Sequence, residues 1–196
     1  MGKGTLFIFS GPSGVGKGTL KEQLLAEFAG HLVFSVSATT RRPRKGEEDG
    51  REYFFIGRET FEREIREGGF LEHAEYAGNL YGTPRRFVEK LLSEGKDVIL
   101  EIEVNGAMQV MRAMPENVSV FVLPPSDKIL AERLRGRGTE DEETIRRRLA
   151  KSRGEIESAG RYDYRIVNDD LCEAYRELRT IYLKHAGFMR RGEQEE

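Results

Sequence analysis

The chain has 196 residues, enough for one domain with short insertions and a buried core. Apolar residues make up 38% and charged residues 34%, and the net charge of -2 gives bulk electrostatics no case for a nucleic-acid binder. A single cysteine, Cys172, excludes an internal disulfide and a cysteine zinc site. No apolar run approaches the roughly 20 residues that cross a bilayer, and Leu6 to Phe9 is too short for a signal peptide. The expectation is a cytoplasmic protein with no membrane and no nucleic-acid partner. Nothing in the pattern distinguishes a monomer from a homo-oligomer.

In chain order, the run Thr5 to Ser10 reads as a strand buried on both faces of a parallel sheet. A glycine-rich turn follows from Gly11 to Gly18, and then Leu20, Leu24, Leu25 and Phe28 recur at helical spacing. Residues 35–83 break this rhythm and read as an inserted subdomain. Its short strands are Tyr53 to Ile56 and Phe70 to Tyr76, with a helix near Phe61 to Arg66 that Gly68-Gly69 ends and a turn at Gly78-Asn79. Phe87, Leu91 and Leu92 mark a helix before the next strand, Val98 to Ile102; Val118 to Leu123 and Tyr164 to Val167 are further strands.

Between those last two runs, residues 126–154 form a charged helical hairpin. Ile129, Leu130 and Leu134 lie on its first helix, Gly136-Arg137-Gly138 joins the two, and Thr139 to Glu142 is a capping-box pattern opening the second. The hairpin reads as a lid, with Gly136 and Gly138 as hinges. Leu171, Ala174, Tyr175, Leu178, Ile181 and Tyr182 give the last helix a core stripe, and Cys172 beside it reads as a structural thiol. Strands alternating with helices imply an α/β parallel sheet.

The segment Gly11-Pro12-Ser13-Gly14-Val15-Gly16-Lys17-Gly18-Thr19 carries the chemistry. Its glycines let successive backbone N–H groups turn inward around phosphate oxygens, and the helix that follows adds its positive end. Lys17 reaches the β- and γ-phosphates of a nucleoside triphosphate. The usual pattern closes with Ser or Thr directly after the lysine. Here Gly18 stands there, so a metal or phosphate contact falls to Thr19, one residue on.

Next comes Ser37-Ala38-Thr39-Thr40-Arg41-Arg42-Pro43-Arg44. Arg41 and Arg44 can fork onto one phosphate, a task for which guanidinium suits better than ammonium, and Tyr53 and Tyr81 can add hydroxyls. Alone, the stretch reads equally well as a solvated basic loop. Beside a phosphate loop it supplies what a nucleoside monophosphate kinase needs, a second phosphate site whose occupant is already an anionic nucleophile. Such a reaction requires no general base.

These residues resemble guanylate kinase over essentially the whole chain. The resemblance rests on Gly11 to Lys17, Phe34-Ser35-Val36-Ser37, Thr39 to Arg44 and Asp49-Gly50-Arg51-Glu52-Tyr53-Phe54-Phe55. It continues through Phe70-Leu71-Glu72, Gly78-Asn79-Leu80-Tyr81-Gly82-Thr83, Arg137-Gly138-Thr139 and Ile166-Val167-Asn168-Asp169-Asp170. It implies an ATP:GMP phosphotransferase that uses Mg2+ with ATP. Arg41, Arg44, Tyr53 and Tyr81 would hold the GMP phosphate, and Ser37, Glu72, Thr83 and Glu103 would read guanine. Gly11, Pro12, Ser13, Gly14, Val15, Gly16, Lys17, Gly18, Thr19, Arg133, Arg137 and Asn168 would bind ATP. Lys17, Arg41, Arg137 and Arg148 would act on the transferring group, with Thr19 and Glu101 near the metal. The lid arginines also have local partners in Glu140, Asp141, Glu142 and Glu143. Many family members carry Asp where Glu101 and Glu103 stand, and Gln where Asn105 stands.

The expected architecture is α/β: a parallel five-stranded sheet with the P-loop, flanked by helices. Residues 1–34, 84–125 and 155–196 would form the core, 35–83 the GMP-binding subdomain and 126–154 the lid. Two alternatives stand beside the enzyme: a kinase for another phosphorylated small acceptor, and a guanylate-kinase-like binding module without catalysis. Such modules typically have degraded phosphate loops, whereas Gly11, Gly16, Lys17 and the lid arginines are all present here.

Overall fold

The computed structural model describes residues 2–136 and 141–187. The chain runs Leu6–Ser10 (β1), Lys17–Glu27 (α1), Leu32–Phe34 (β2), Ser37–Thr39 (β3), Tyr53–Phe55 (β4), Arg58–Arg66 (α2), Phe70–Tyr76 (β5) and Asn79–Pro84 (β6). It continues with Arg85–Ser93 (α3), Asp97–Glu101 (β7), Val104–Ala113 (α4), Val118–Leu123 (β8), Asp127–Gly136 (α5) and Glu142–Glu157 (α6). A short 3-10 turn at Ser158–Arg161 leads into Tyr164–Val167 (β9) and Leu171–His185 (α7).

Five parallel strands form the main sheet in the order β2-β7-β1-β8-β9. Side chains alternate across a strand, so β1 feeds two cores at once. Phe7 and Phe9 point into the layer closed by α1 and α7, where Leu20, Leu24, Leu178 and Tyr182 are buried. Leu6 and Ile8 point into the opposite layer, with Val88 and Leu92 of α3 and Ala107 and Val110 of α4. Both faces are covered, which is why Leu6–Phe9 of β1 and Val120–Leu123 of β8 read as unbroken apolar runs. The chain moves to one side of β1 for β2 and β7 and to the other for β8 and β9. That reversal opens a crevice at the carboxyl ends of β1 and β7.

A second sheet, ordered β4-β3-β6-β5, lies within residues 37–84. Ala38, Phe61, Phe70 and Leu80 form its own core, with the Phe61 and Phe70 rings stacked at 4.2 Å. Gly68 takes φ 70 just past α2, and its N–H and that of Gly69 close back on Ile65 and Glu64. The turn between β5 and β6 is Ala77-Gly78 rather than Gly78-Asn79. Asn79 already pairs with Tyr76, and both turn residues have positive φ (48 and 76), the geometry of a two-residue hairpin.

The α5–α6 hairpin has a small core of Leu130, Leu134 and Ile145. Asp141 caps α6, its carboxylate accepting the Thr144 N–H at 2.7 Å. Thr139, the expected cap, lies outside the described residues with Arg137 and Gly138. The helix passes through Gly154 and ends at Glu157, beyond the expected lid boundary at 154. Cys172, expected to be structural, is exposed on the first turn of α7.

Candidate active site

The glycine loop sits where β1 ends, at the mouth of the crevice. Gly16 has φ 98, and a Cβ there would stand 2.4 Å from the Asn168 amide nitrogen, so no other residue fits. That nitrogen donates to the Val15 carbonyl at 2.7 Å and pins the loop to the end of β9. Lys17 folds back over the loop, its ammonium donating to the Gly11 carbonyl at 2.6 Å and to Pro12 at 3.0 Å. Its charge is therefore held against the carbonyls of the loop's first two residues. Gly18 and the exposed Thr19 occupy the first turn of that helix.

Two hairpin arginines reach the loop directly. Arg133 donates to the Asn168 carbonyl at 2.8 Å and to the Val15 carbonyl of the loop at 3.5 Å, and Arg148 donates to the Ser13 hydroxyl at 2.8 Å. Of the acidic residues expected to pair with the lid arginines, Glu142 takes Arg135 instead, at 2.7 Å. Arg137, the remaining lid arginine of the sequence reading, lies outside the described residues.

A cavity of about 480 Å³ opens beside the loop. Its walls are Gly11, Ser13 and Lys17, then Glu101, Ile102 and Glu103 at the end of β7, and Arg148, Lys151, Ser152 and Glu155 on α6. Tyr76 of β5 completes it and brings the small sheet to its edge. Glu101 is held by Lys21 at 2.8 Å. Among the described residues no three acidic, His or Cys side chains converge on one point. A cation here would draw most of its ligands from phosphate oxygens and water, with Glu101 on the cavity wall as an oxygen donor, which suits a small hard ion that keeps its waters; Thr19 is exposed and is not one of the cavity walls.

The second site lies on one face of the small sheet. Ser37 pairs with Tyr53, Thr39 with Tyr81 and Glu72 with Thr83. Alternation then puts Tyr53, Ser37, Tyr81, Thr83 and Glu72 on the same side, while Ala38, Phe54 and Leu80 face the α2 core. Arg41 lies 5.5 Å from the Tyr53 ring centre, and the Tyr53 and Tyr81 rings meet edge-on at 6.0 Å. Glu47 organises this cluster. It accepts from the Arg41 guanidinium at 2.9 Å and from the Arg44 N–H at 2.7 Å, and these bonds hold its carboxyl below the ordinary range. Arg44 itself is exposed.

Glu72 is 8% exposed and accepts from the Thr83 hydroxyl at 2.7 Å. Burial pushes its pKa up, and the hydrogen bonds from Thr83 oppose that shift only in part. Glu103 goes elsewhere than the rest of the expected base-reading set: its carboxylate oxygens lie 2.8 and 2.9 Å from the Lys151 ammonium. Lys151 and Glu155 escaped the sequence reading, although with Arg148 they recur at helical spacing along α6 and face the cavity. Burial also raises the pKa of Glu155, against the pull of Lys151.

A family model described as guanylate kinase matches residues 3–185. A guanylate kinase of Synechocystis sp. is 52% identical over 176 residues, 90% of this chain and 92% of its own length. One of Thermus thermophilus is 52% identical over 179 residues, 91% of this chain and 80% of that protein. Among solved structures, the guanylate kinase of Anaplasma phagocytophilum superposes with a TM-score of 0.70 at 35% identity, covering 94% of this chain and 87% of that one. The match runs from before β1 to the end of α7 and takes in the loop, the small sheet and the α5–α6 hairpin together; the chain belongs to the guanylate kinase family.

Proposed function

We propose that the chain transfers the γ-phosphate of ATP to the phosphate of GMP, giving ADP and GDP. The observation that carries this reading is the presence of two anion sites on one chain. One is the glycine loop with Lys17. The other is the face bearing Arg41, Tyr53 and Tyr81 beside the buried Glu72–Thr83 pair.

ATP occupies the cavity with its phosphates against residues 11–19. Arg133 and Asn168 hold the outer side of the loop, and Arg137 and Arg148 close on the transferring group. Glu101 and Thr19 would supply the protein-side oxygens for the Mg2+ that comes with ATP, and such an ion would offset the negative charge of the triphosphate. GMP lies on the small sheet. Its phosphate meets Arg41, Arg44, Tyr53 and Tyr81, and its base meets Ser37, Glu72, Thr83 and Glu103. An ionised carboxylate accepts from both N1–H and the 2-amino group of guanine, a donor pair that adenine lacks.

A GMP phosphate oxygen attacks the γ-phosphorus in line as the bond to the β-phosphate oxygen of ATP breaks. No proton needs removal, so the side chains act by position and charge. Lys17 leaves its carbonyl partners and neutralises the migrating group. Arg148 moves from Ser13 to the same task. Residues 35–83 and 126–154 act as closing bodies around the core formed by 1–34, 84–125 and 155–196, and closure excludes water from the reacting phosphates. A cytoplasmic setting suits this chemistry. Among the described residues no helix is long and apolar enough to cross a membrane.

The test is a coupled ADP-release assay with GMP, AMP and sugar phosphates as acceptors. GMP should give the highest kcat/KM; a higher value for AMP or a sugar phosphate would overturn the assignment.

A further inference from the structure

Gly106 is the third residue of α4, and it faces Glu72. A Cβ built on it would stand 2.9 Å from Glu72 Oε2, 3.3 Å from its Cδ and 3.4 Å from its Cγ, and these are its three nearest neighbours. Its backbone is helical and has no positive φ, so conformation does not call for glycine there. Helix propensity argues for alanine instead. What glycine provides is room, and the three atoms nearest that room all belong to the Glu72 side chain.

Glu72 can yield only by giving up its present carboxylate position. Thr83 holds its other carboxylate oxygen, Oε1, at 2.7 Å, and both residues are buried, at 8% and 1% exposure. A methyl group at position 106 would press on Oε2 while Thr83 keeps Oε1. The carboxylate would then rotate or withdraw. Because the nearest atom is the end of a flexible side chain rather than backbone, the fold absorbs the change and the site does not.

We propose that Gly106 is a positioning residue for acceptor specificity: by omitting its Cβ it lets α4 lie against β5 with the Glu72 carboxylate where guanine is read. The inference rests on Glu72 being the guanine reader. The helix gives up intrinsic propensity at this one position in return for the orientation of a buried acid on another element.

The experiment compares wild type with Gly106→Ala, Glu72→Asp, Glu72→Gln and the double variant Gly106→Ala/Glu72→Asp. Each is assayed with GMP and with IMP, which keeps N1–H but lacks the 2-amino group, and each is melted. In Gly106→Ala, Tm should hold or rise, the KM for ATP should stay unchanged, and kcat/KM for GMP should fall about tenfold or more, chiefly through KM. The preference for GMP over IMP should narrow. Aspartate is shorter by a methylene and leaves room for the new methyl, so Glu72→Asp should cost at least about threefold less in the Gly106→Ala background than alone.

An unchanged GMP-over-IMP preference in Gly106→Ala would overturn the proposal, as would strictly additive effects in the double variant. A loss of Tm that the shorter acid fails to restore would also overturn it, since it would mean that the methyl meets something other than Glu72. Glu72→Gln separates the two readings. If it leaves the preference where it was, Glu72 does not read guanine, and that assignment falls independently of Gly106.

Discussion

Replacing Glu72 by glutamine keeps size and shape and changes only charge and one donor. Thr83 approaches this side chain with its hydroxyl, at 2.7 Å, and with its backbone N–H. An N–H can only donate, so the glutamine oxygen is fixed toward Thr83 and its NH2 group takes the place of Oε2. That group then meets guanine N1–H and the 2-amino group donor to donor. Two hydrogen bonds to a charged acceptor are lost, each worth about 1.5–3 kcal/mol, which corresponds to roughly 10²–10⁴ in kcat/KM for GMP. Adenine offers an acceptor at N1, to which the new amide can donate, so AMP should lose nothing and gain modestly. The ratio of kcat/KM for GMP over AMP, read by coupled ADP release, should therefore fall by at least about a hundredfold. Tm should not drop, because the Thr83 bonds persist and a buried charge is gone. A variant that keeps the wild-type ratio within a few-fold refutes this reasoning.

Other expectations follow from the same contacts. Because burial raises the Glu72 pKa above its ordinary 4.5, kcat/KM for GMP should decline with falling pH nearer neutrality than an exposed glutamate would dictate, and Glu72→Gln should lack that limb. Stability runs the other way. A group whose folded pKa is raised contributes stability in full below its unfolded pKa and loses it as pH rises through the folded one, so the Tm gap should widen in favour of Glu72→Gln with rising pH. A pH-independent gap contradicts the burial argument. Lys17→Ala should reduce kcat by about 10²–10³ with Tm nearly unchanged, and turnover within a few-fold of wild type would remove Lys17 from its role. Asp97 is 1% exposed and accepts from the Thr5 N–H at 2.7 Å, the Gly187 N–H at 3.0 Å and the Tyr182 hydroxyl at 3.0 Å, tying both ends of the fold to β7. Asp97→Ala should cost about 3–5 kcal/mol and lower Tm by on the order of 10 °C, while Asp97→Asn, which keeps one acceptor, should lose less. Equal melting of Asp97→Ala and wild type would refute it.

Strands β1, β7 and β8 of the main sheet were legible because burial on both faces leaves an apolar run, as at Val120–Leu123. The phosphate loop was legible because its chemistry is local: a strand, three glycines at positive φ and a helix lie within adjacent residues. Strands β2 and β3 were not, because three residues cannot display a period. The turn at Ala77-Gly78 was displaced by one because Ala77 adopts positive φ against its own preference, held by the hairpin register. Long-range pairs were the main loss. Nothing near Glu103 in sequence announces Lys151, 48 residues away, and the common face of Tyr53, Ser37, Tyr81, Thr83 and Glu72 emerges only from strand register. Family resemblance gathered those five residues without explaining why they meet; the register does.

The reaction assigned to this chain is the movement of a γ-phosphate from ATP to GMP. Incubating the protein with γ-labelled ATP, Mg2+ and GMP, and separating the products, tests this directly. The label should appear in GDP in amounts equal to the ADP formed, and omitting GMP should nearly abolish ADP release. Label in free phosphate at an undiminished rate without GMP, or in ADP but not GDP when AMP and GMP are both present, would contradict it.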